Sequence, residues 1–439
     1  MTKTTRICIA MAAAMLLSTS VHAENWPQWR GPHFDGSTTE TKLPETLDVK
    51  SNLAWSTEMP GPSCATPVIF GDRIFFTAFD KKTQKLVALC ADKKDGKILW
   101  QKETGYGYAT NQRNDMASPS PITDGKTVWF YYGTGDLAAF DYSGNPLWAR
   151  NIEKDFGKFH MQWIYSASPL LFGGKLYVPV LHRDTPVPSR GAASSGSSAP
   201  ADSYLLCIDP ATGKDLWRVI RPTDALEESH EAYTTPLPIE VNGKPQIIIV
   251  GGDYVTGHDP DNGKELWRTQ NYNPTKSHSY RTVASATAGD GLIFASPPKH
   301  GMMFAIQPNG GESSEAKFAW KSTEVTTDVC APLFYQGLLY VLDGDRKNPL
   351  YCLDPKTGDK KWSVDLGGKS VFRSSPTGAD GKIYCMNEGG DVVVVAAADG
   401  KILSRQSLGT DSPSRASVVV SDGQVFVRTG DHLYAFGKK

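Results

Sequence analysis

The chain of 439 residues lacks several features that would place it quickly. Its net charge is only −1 at pH 7, so no basic field points to nucleic acid and no acidic excess to a solvating tail. Beyond residue 17 no apolar run approaches the roughly 18 residues of a membrane-spanning helix, so no membrane insertion is expected. No G-x-S-x-G, phosphate loop or dinucleotide fingerprint occurs. Cysteine is sparse, seven in all, and no two are adjacent. Glycine (41), proline (29) and aromatics (10%) are plentiful instead, the composition of an all-β chain with many turns.

Residues 1–23 read as a cleaved signal peptide. Lys3 and Arg6 precede the apolar run Ile7–Leu17, and Val21-His22-Ala23 has the small-x-small form of a processing site. Cys8 lies at the start of the apolar run, and no lipobox cysteine follows the run. A periplasmic or secreted protein, without lipid anchor, is the expectation. Of the six remaining cysteines, Cys90, Cys207 and Cys352 fall at one repeated strand position and are expected to be small core residues rather than bridges.

The repeat dominates the rest. A turn followed by tryptophan recurs at Asp95-Gly96 to Trp100, Ser143-Gly144 to Trp148, Thr212-Gly213 to Trp217, Asn262-Gly263 to Trp267 and Thr357-Gly358 to Trp362, with a looser copy ending at Trp320. Asp399-Gly400 opens a further copy that carries Ser404 and no Trp. From Trp55 onward the spacings are 42–53 residues, apart from one of 69. Such a period with short strands indicates propeller blades. Eight first hairpins are legible, each opening on a small residue ("ATPVIF", "ASPLLF", "TTPLPI", "CAPLFY", "SSPTGA" among them) and followed by a two-residue turn that contains Gly. The last unit ends at "HLYAFGKK" with three strands.

The missing strand is expected at the other end of the chain. Leu53–Glu58 carries Trp55 at the repeat position and should complete the last blade, pairing near His432–Phe436. The fold expected is therefore an all-β, eight-bladed β-propeller of four-stranded antiparallel blades over 53–439, with seven blades if the last unit fails to close. Trp55, Trp100, Trp148, Trp217, Trp267, Trp320 and Trp362 are assigned to structural docking between neighbouring blades. Residues 24–52 form a leader, and removing Glu24–Glu40 alone is expected to do much less harm than removing everything through Glu58. The Ser/Ala/Gly/Pro-rich stretch 186–201 is expected as a loop between the second and third strands of the third blade.

The string Asp-x-x-Thr/Asn-Gly-Lys-x-x-Trp, best seen in Asp209–Trp217 and Asp259–Trp267, resembles the docking signature of pyrroloquinoline-quinone (PQQ)-like β-propellers. The resemblance covers nearly the whole mature chain and implies fold rather than activity. "NWPQWRGPHFDG" (Asn25–Gly36) is similar to a leader of exported members. One branch of this superfamily, the quinoprotein alcohol dehydrogenases, carries PQQ and Ca²⁺ on the axis beneath a ring of two adjacent cysteines; this chain has no such pair. The other branch is non-catalytic and includes the lipoprotein that assists outer-membrane assembly. The resemblance therefore implies a monomeric, non-enzymatic binding module for an envelope or exported protein or a small ligand. A PQQ- and Ca²⁺-dependent dehydrogenase with a reduced site is the alternative.

In a propeller, the loops joining blades and those between second and third strands share one face. The binding candidates there are Arg113, Asp115, His160, Trp163, Tyr165, His230, Glu231, Tyr233, Tyr280, Arg281, Asp328, Arg373 and Arg415, with His278, His182, Arg183, Asp253, Lys299, His300, Asp343, Asp345, Asn387 and Glu388 nearby. Arginines there suit a carboxylate or phosphate, and aromatics a flat ligand or a peptide side chain. "ESHE" (Glu228–Glu231) and "DGDRKN" (Asp343–Asn348) fall short of metal-loop spacing, so neither a metal site nor a catalytic residue is assigned.

Overall fold

The computed structural model describes residues 24–107, 114–187, 201–297, 301–310, 314–344 and 348–437. The signal segment, Arg113, Lys299, His300 and Asp345 lie outside them. Seven four-stranded antiparallel units follow in chain order, over 68–106, 122–151, 170–220, 237–269, 287–322, 333–365 and 377–407. The eighth takes three strands from the C-terminus, Val419–Ser421, Gln424–Arg428 and His432–Gly437, and its outer strand, Leu53–Glu58, from near the N-terminus. Trp55 faces Ala435 and Glu58 faces His432 across that last pair. The fold is a β-propeller closed as expected. The long insertion falls between Lys175–Val180 and Tyr204–Ile208, the second and third strands of the third blade, with 188–200 outside the described residues.

One local device recurs in every blade. The outer strand bulges one residue before the docking position, at Leu99, Leu147, Leu216 and their equivalents. The bulge breaks the two-residue alternation and re-aims the next side chain toward the neighbouring blade. It also explains why Leu99, Leu147 and Leu216 are exposed. Opposite each docking Trp stands a small residue: Cys90, Ala139, Cys207, Ala305, Cys352 or Ala435. This is why cysteine recurs at one position. All six cysteines of the described residues are free.

Each indole then lies on the turn glycine of the next blade. A Cβ on Gly96, Gly144, Gly213, Gly263, Gly358 or Gly400 would sit 2.4–2.9 Å from the Trp ring of the preceding blade, and all six glycines have φ between +71° and +85°. Two independent demands, a left-handed backbone and no side chain, meet on one residue. Trp55 Nε1 adds a bond to the Lys93 carbonyl (3.0 Å), and Trp320 Nε1 one to that of Pro355 (2.8 Å).

Trp267 departs from the expected docking. Its opposite residue is Gly257, where a Cβ would meet the indole at 2.4 Å. The ring therefore folds over its own blade, is 1% exposed, and donates to Gln246 Oε1 at 2.8 Å. The fifth blade offers no matching Thr/Asn-Gly-Lys turn. Instead the outer strands of blades 4 and 5 pair in parallel, Arg268 with Glu315 and Thr269 with Ala316, merging the two blades into one eight-stranded sheet.

The leader is more than the minor extension expected. Trp26 is fully buried and exchanges both backbone bonds with Ile69 of blade 1 (2.8 and 2.7 Å). Pro27 accepts from Thr123 of blade 2 (3.0 Å), and Phe34 meets Phe172 of blade 3 edge-on. The buried Arg30 guanidinium donates to the carbonyls of Pro332 (2.8 Å) and Pro376 (3.1 Å), which open blades 6 and 7. The Glu40 carboxylate accepts the Asp422 and Gly423 N–H groups of blade 8. Leu43 and Leu47 fill the joint between blades 7 and 8, where Ser404 replaces the tryptophan. There the last blade has no third-to-fourth turn, hence no glycine for an indole to lie on.

Candidate functional site

The blade-opening sequences place one residue per blade at equivalent points around the axis: Thr66, Ser120, Ser168, Thr235, Ser285, Ala331, Ser375 and Ser417. Six joints are closed by a backbone N–H donating to the hydroxyl of the next blade, at 2.9–3.1 Å. Between blades 5 and 6 Ala331 has no hydroxyl to offer. This belt satisfies inner-strand N–H groups that have no ladder partner.

Two residues earlier in each blade, period-two alternation brings another side chain to the axis. These are Cys64, Ser118, Ser166, Tyr233, Val283, Val329, Arg373 and Arg415, all of which line the axial cavity. The cavity has an outer part reaching Trp163 and Arg281, and an inner part reaching the hydroxyl belt and Trp29 of the leader. The leader thus contributes Trp29 to the inner part of this axial well. The wall is divided. Blades 4, 5 and 6 contribute Tyr233, Val283 and Val329; blades 7 and 8 contribute two arginines; blades 1 to 3 contribute small polar groups.

The charged groups are held in pairs. Glu388 Oε1 accepts from Arg373 (2.9 Å) and Arg415 (2.6 Å). Arg281 lies 3.5 Å from Glu228 and 3.9 Å from Asp328, with its guanidinium 5.8 Å from the Trp163 ring. Trp163 Nε1 in turn donates to Glu228 (3.1 Å). Glu231 is wholly buried between Arg183 Nε (2.5 Å), Tyr233 Oη (2.5 Å) and Gln162 N (3.0 Å). Burial raises its pKa, and Tyr233 and Arg183 oppose the rise. Arg415 also reaches the Cys64 thiol (3.6 Å), which donates to Asp115 (3.3 Å). Burial, then the Asp115 charge, push that thiol up to about 12, so Cys64 is not a poised nucleophile.

Of the expected candidates, Trp163, Tyr233, Arg281, Arg373 and Arg415 line the well. Asp328, Glu388 and Glu231 stand behind them as partners, and Asp115 behind Cys64. Tyr165 is a core residue instead: its hydroxyl donates to the Pro179 carbonyl at 2.5 Å and its ring packs on Phe159. His160 is buried beside His182, whose pKa burial lowers to about 4. His230 ends a short 3₁₀ turn, and Tyr280 is half-buried with its N–H on Ser229 Oγ (2.7 Å). Asn387 shapes its own turn, accepting from Gly389 and Asp391. The sequence reading missed Cys64, Asn114, Ser118, Ser166, Val283, Val329 and Trp29; counting two residues back from each blade-opening position would have found five of them.

A Ca²⁺ ion needs six or more oxygen ligands. Among the described residues no three His, Cys, Asp or Glu side chains converge as such a site requires. The acids nearest the well are engaged by arginine. The residues present do not fit the Ca²⁺ of the dehydrogenase branch.

A family model described as outer membrane protein assembly factor BamB matches residues 47–178 and 201–438. No curated protein matches the sequence. Among solved structures, a europium-containing methanol dehydrogenase aligns with TM-score 0.68 at 13% identity, covering 94% of this chain and 98% of its own. The quinohemoprotein alcohol dehydrogenase of Comamonas testosteroni aligns with TM-score 0.66 at 14% identity, covering 95% and 81%. BamB from Moraxella catarrhalis aligns with TM-score 0.59 at 12% identity, covering 87% and 98%. At such identities these structures establish the fold alone. No helix among the described residues is long and apolar enough to cross a membrane. The family match extends over most of the chain, and the protein belongs to this BamB-like family of PQQ-type β-propellers.

Proposed function

We propose that this protein is an exported, non-enzymatic binding module of the cell envelope, and that its partner enters the axial well. The observation that carries this reading is the well itself. It runs along the axis from Trp163 and Arg281 to Trp29 of the leader and brings an apolar and a cationic wall together. Such a concave, mostly apolar site with a few convergent polar groups is the usual form of a ligand pocket. The family match supports an envelope role. The occupant is either a small ligand or a side chain presented by an exported protein.

The test is a binding screen of small organic acids, amines and short peptides against the purified protein, read by intrinsic tryptophan fluorescence and calorimetry. Trp163 and Trp29 border the well and should report occupancy. Binding should be saturable and lost in Val283→Trp, which fills the well. Ligands that bind equally well to Val283→Trp would place the site elsewhere. Incubation with PQQ, Ca²⁺ and a redox dye should give no dye reduction; sustained reduction would replace this reading with a dehydrogenase.

A further inference from the structure

We infer that the well selects a carboxylate carried on an apolar stem, an inference that rests on the well being the binding site. Three arginines, Arg281, Arg373 and Arg415, border the outer cavity. The acids that hold them, Glu228, Asp328 and Glu388, are absent from its lining. The arginines thus line the cavity while each stays held by an acid at its side. The ion pairs keep the guanidinia from collapsing onto one another while leaving a cationic surface, so an anion entering the well meets fixed dipoles that need little rearrangement. Two further acids stand nearby: Asp115 has its carboxylate turned to the Cys64 thiol and the Ala117 N–H, Glu231 accepts from Tyr233 and Arg183, and neither is in the lining.

Beside the arginines stand Tyr233, Val283 and Val329, with no charge among them. These apolar residues come from three consecutive blades and form one wall; Arg373 and Arg415 come from the next two blades and form the wall adjoining it, and Arg281 precedes Val283 by two residues. A purely polar anion such as phosphate would leave the apolar wall without a partner. A purely apolar ligand would leave the arginines facing hydrocarbon, which is costly. A carboxylate with an aliphatic or aromatic group two or three bonds away satisfies both walls. Two sources share this chemistry: the C-terminal residue of a polypeptide and a free small acid.

The experiment compares acetyl-Gly-Gly-Phe with a free carboxylate, the same peptide as its C-terminal amide, and 3-phenylpropanoate, each titrated against the full chain by calorimetry. The free-acid peptide should bind at least tenfold more tightly than the amide, and Arg415→Gln and Arg373→Gln should each weaken it about tenfold. Should those variants fold poorly, 3-phenylpropanol against the wild-type protein makes the same comparison, and it should bind at least tenfold more weakly than 3-phenylpropanoate. Tighter binding of the peptide acid than of 3-phenylpropanoate identifies a chain terminus as the source; equal or weaker binding identifies a free acid. Both results support the inference. Acid and amide binding equally, yet both lost in Val283→Trp, would overturn the carboxylate selectivity and leave the site standing. Binding untouched by Val283→Trp would overturn both. No binding by any of the three probes would overturn the selectivity, with the wider screen deciding on the site.

Discussion

Trp26→Ala tests whether the leader belongs to the folded body. Trp26 is 0% exposed and shares a buried cluster with Ile69, Ile74 and Phe76 of the first blade and with Met59 and Phe426 at the last. Removing a fully buried indole costs about 3–5 kcal/mol, a large share of a typical total of ~5–15 kcal/mol. At ~2.1 cal/mol/K of unfolding entropy per residue, a cooperative chain of this length loses roughly 1 °C in Tm per kcal/mol. The variant should therefore melt about 3–5 °C lower, or more if the leader detaches as a unit. Trp26→Phe makes the reading specific. The indole Nε1 has no protein partner, so phenylalanine keeps most of the apolar contact and discards an unpaired donor. It should cost no more than about 1.5 kcal/mol. Differential scanning calorimetry with urea titration measures both. A shift below 1 °C for Trp26→Ala, or equal losses in Ala and Phe, would refute the argument that this ring secures the leader.

Gly96→Ala should cost more than Gly291→Ala: both have positive φ, worth about 1–2 kcal/mol, but only at Gly96 does the new Cβ strike Trp55. Thermal shifts that are equal for the two would remove the indole-on-glycine account of ring closure. Deletion through Glu58 strips the last blade of its outer strand and should yield aggregated or far less stable protein, judged by size-exclusion chromatography; an unchanged monomer with wild-type Tm would contradict the closure. Burial raises the Asp253 carboxyl from 3.8 to about 6, so the native state favours the protonated form. Stability from this group is fully present below pH 4 and lost as pH rises through 6. Asp253→Asn should therefore gain about 1–2 kcal/mol at pH 7.5 relative to pH 4, after allowance for solvent screening; no difference in the pH profiles would count against it. Because the six cysteines are free, reductant should leave Tm unchanged, and iodoacetamide at pH 8 should modify the native protein slowly; a reductant-dependent Tm would show a bridge.

How much was legible beforehand follows from the range of the interactions involved. The repeat, the blades, the closing strand and the recurring small residue behind each tryptophan are near-neighbour properties. Each blade writes the same local solution, turn glycine, bulge and indole, so eight imperfect copies reveal it. Trp267 shows the limit. Its string matches the motif as well as any, yet its fate depends on Gly257 across the sheet and on a turn absent from the next blade. The leader reads as a loose polar segment because Trp26, Arg30 and Leu43 contact residues that lie up to hundreds of positions away, at blade ends that only a closed ring brings together. The well has the same origin. One residue from each blade forms its wall, and none is adjacent in sequence to another. Chain order fixed that Tyr233, Val283 and Val329 come from neighbouring blades and the two arginines from the next two. Only ring closure gathered the two groups side by side around one axis, with their acidic partners next to them.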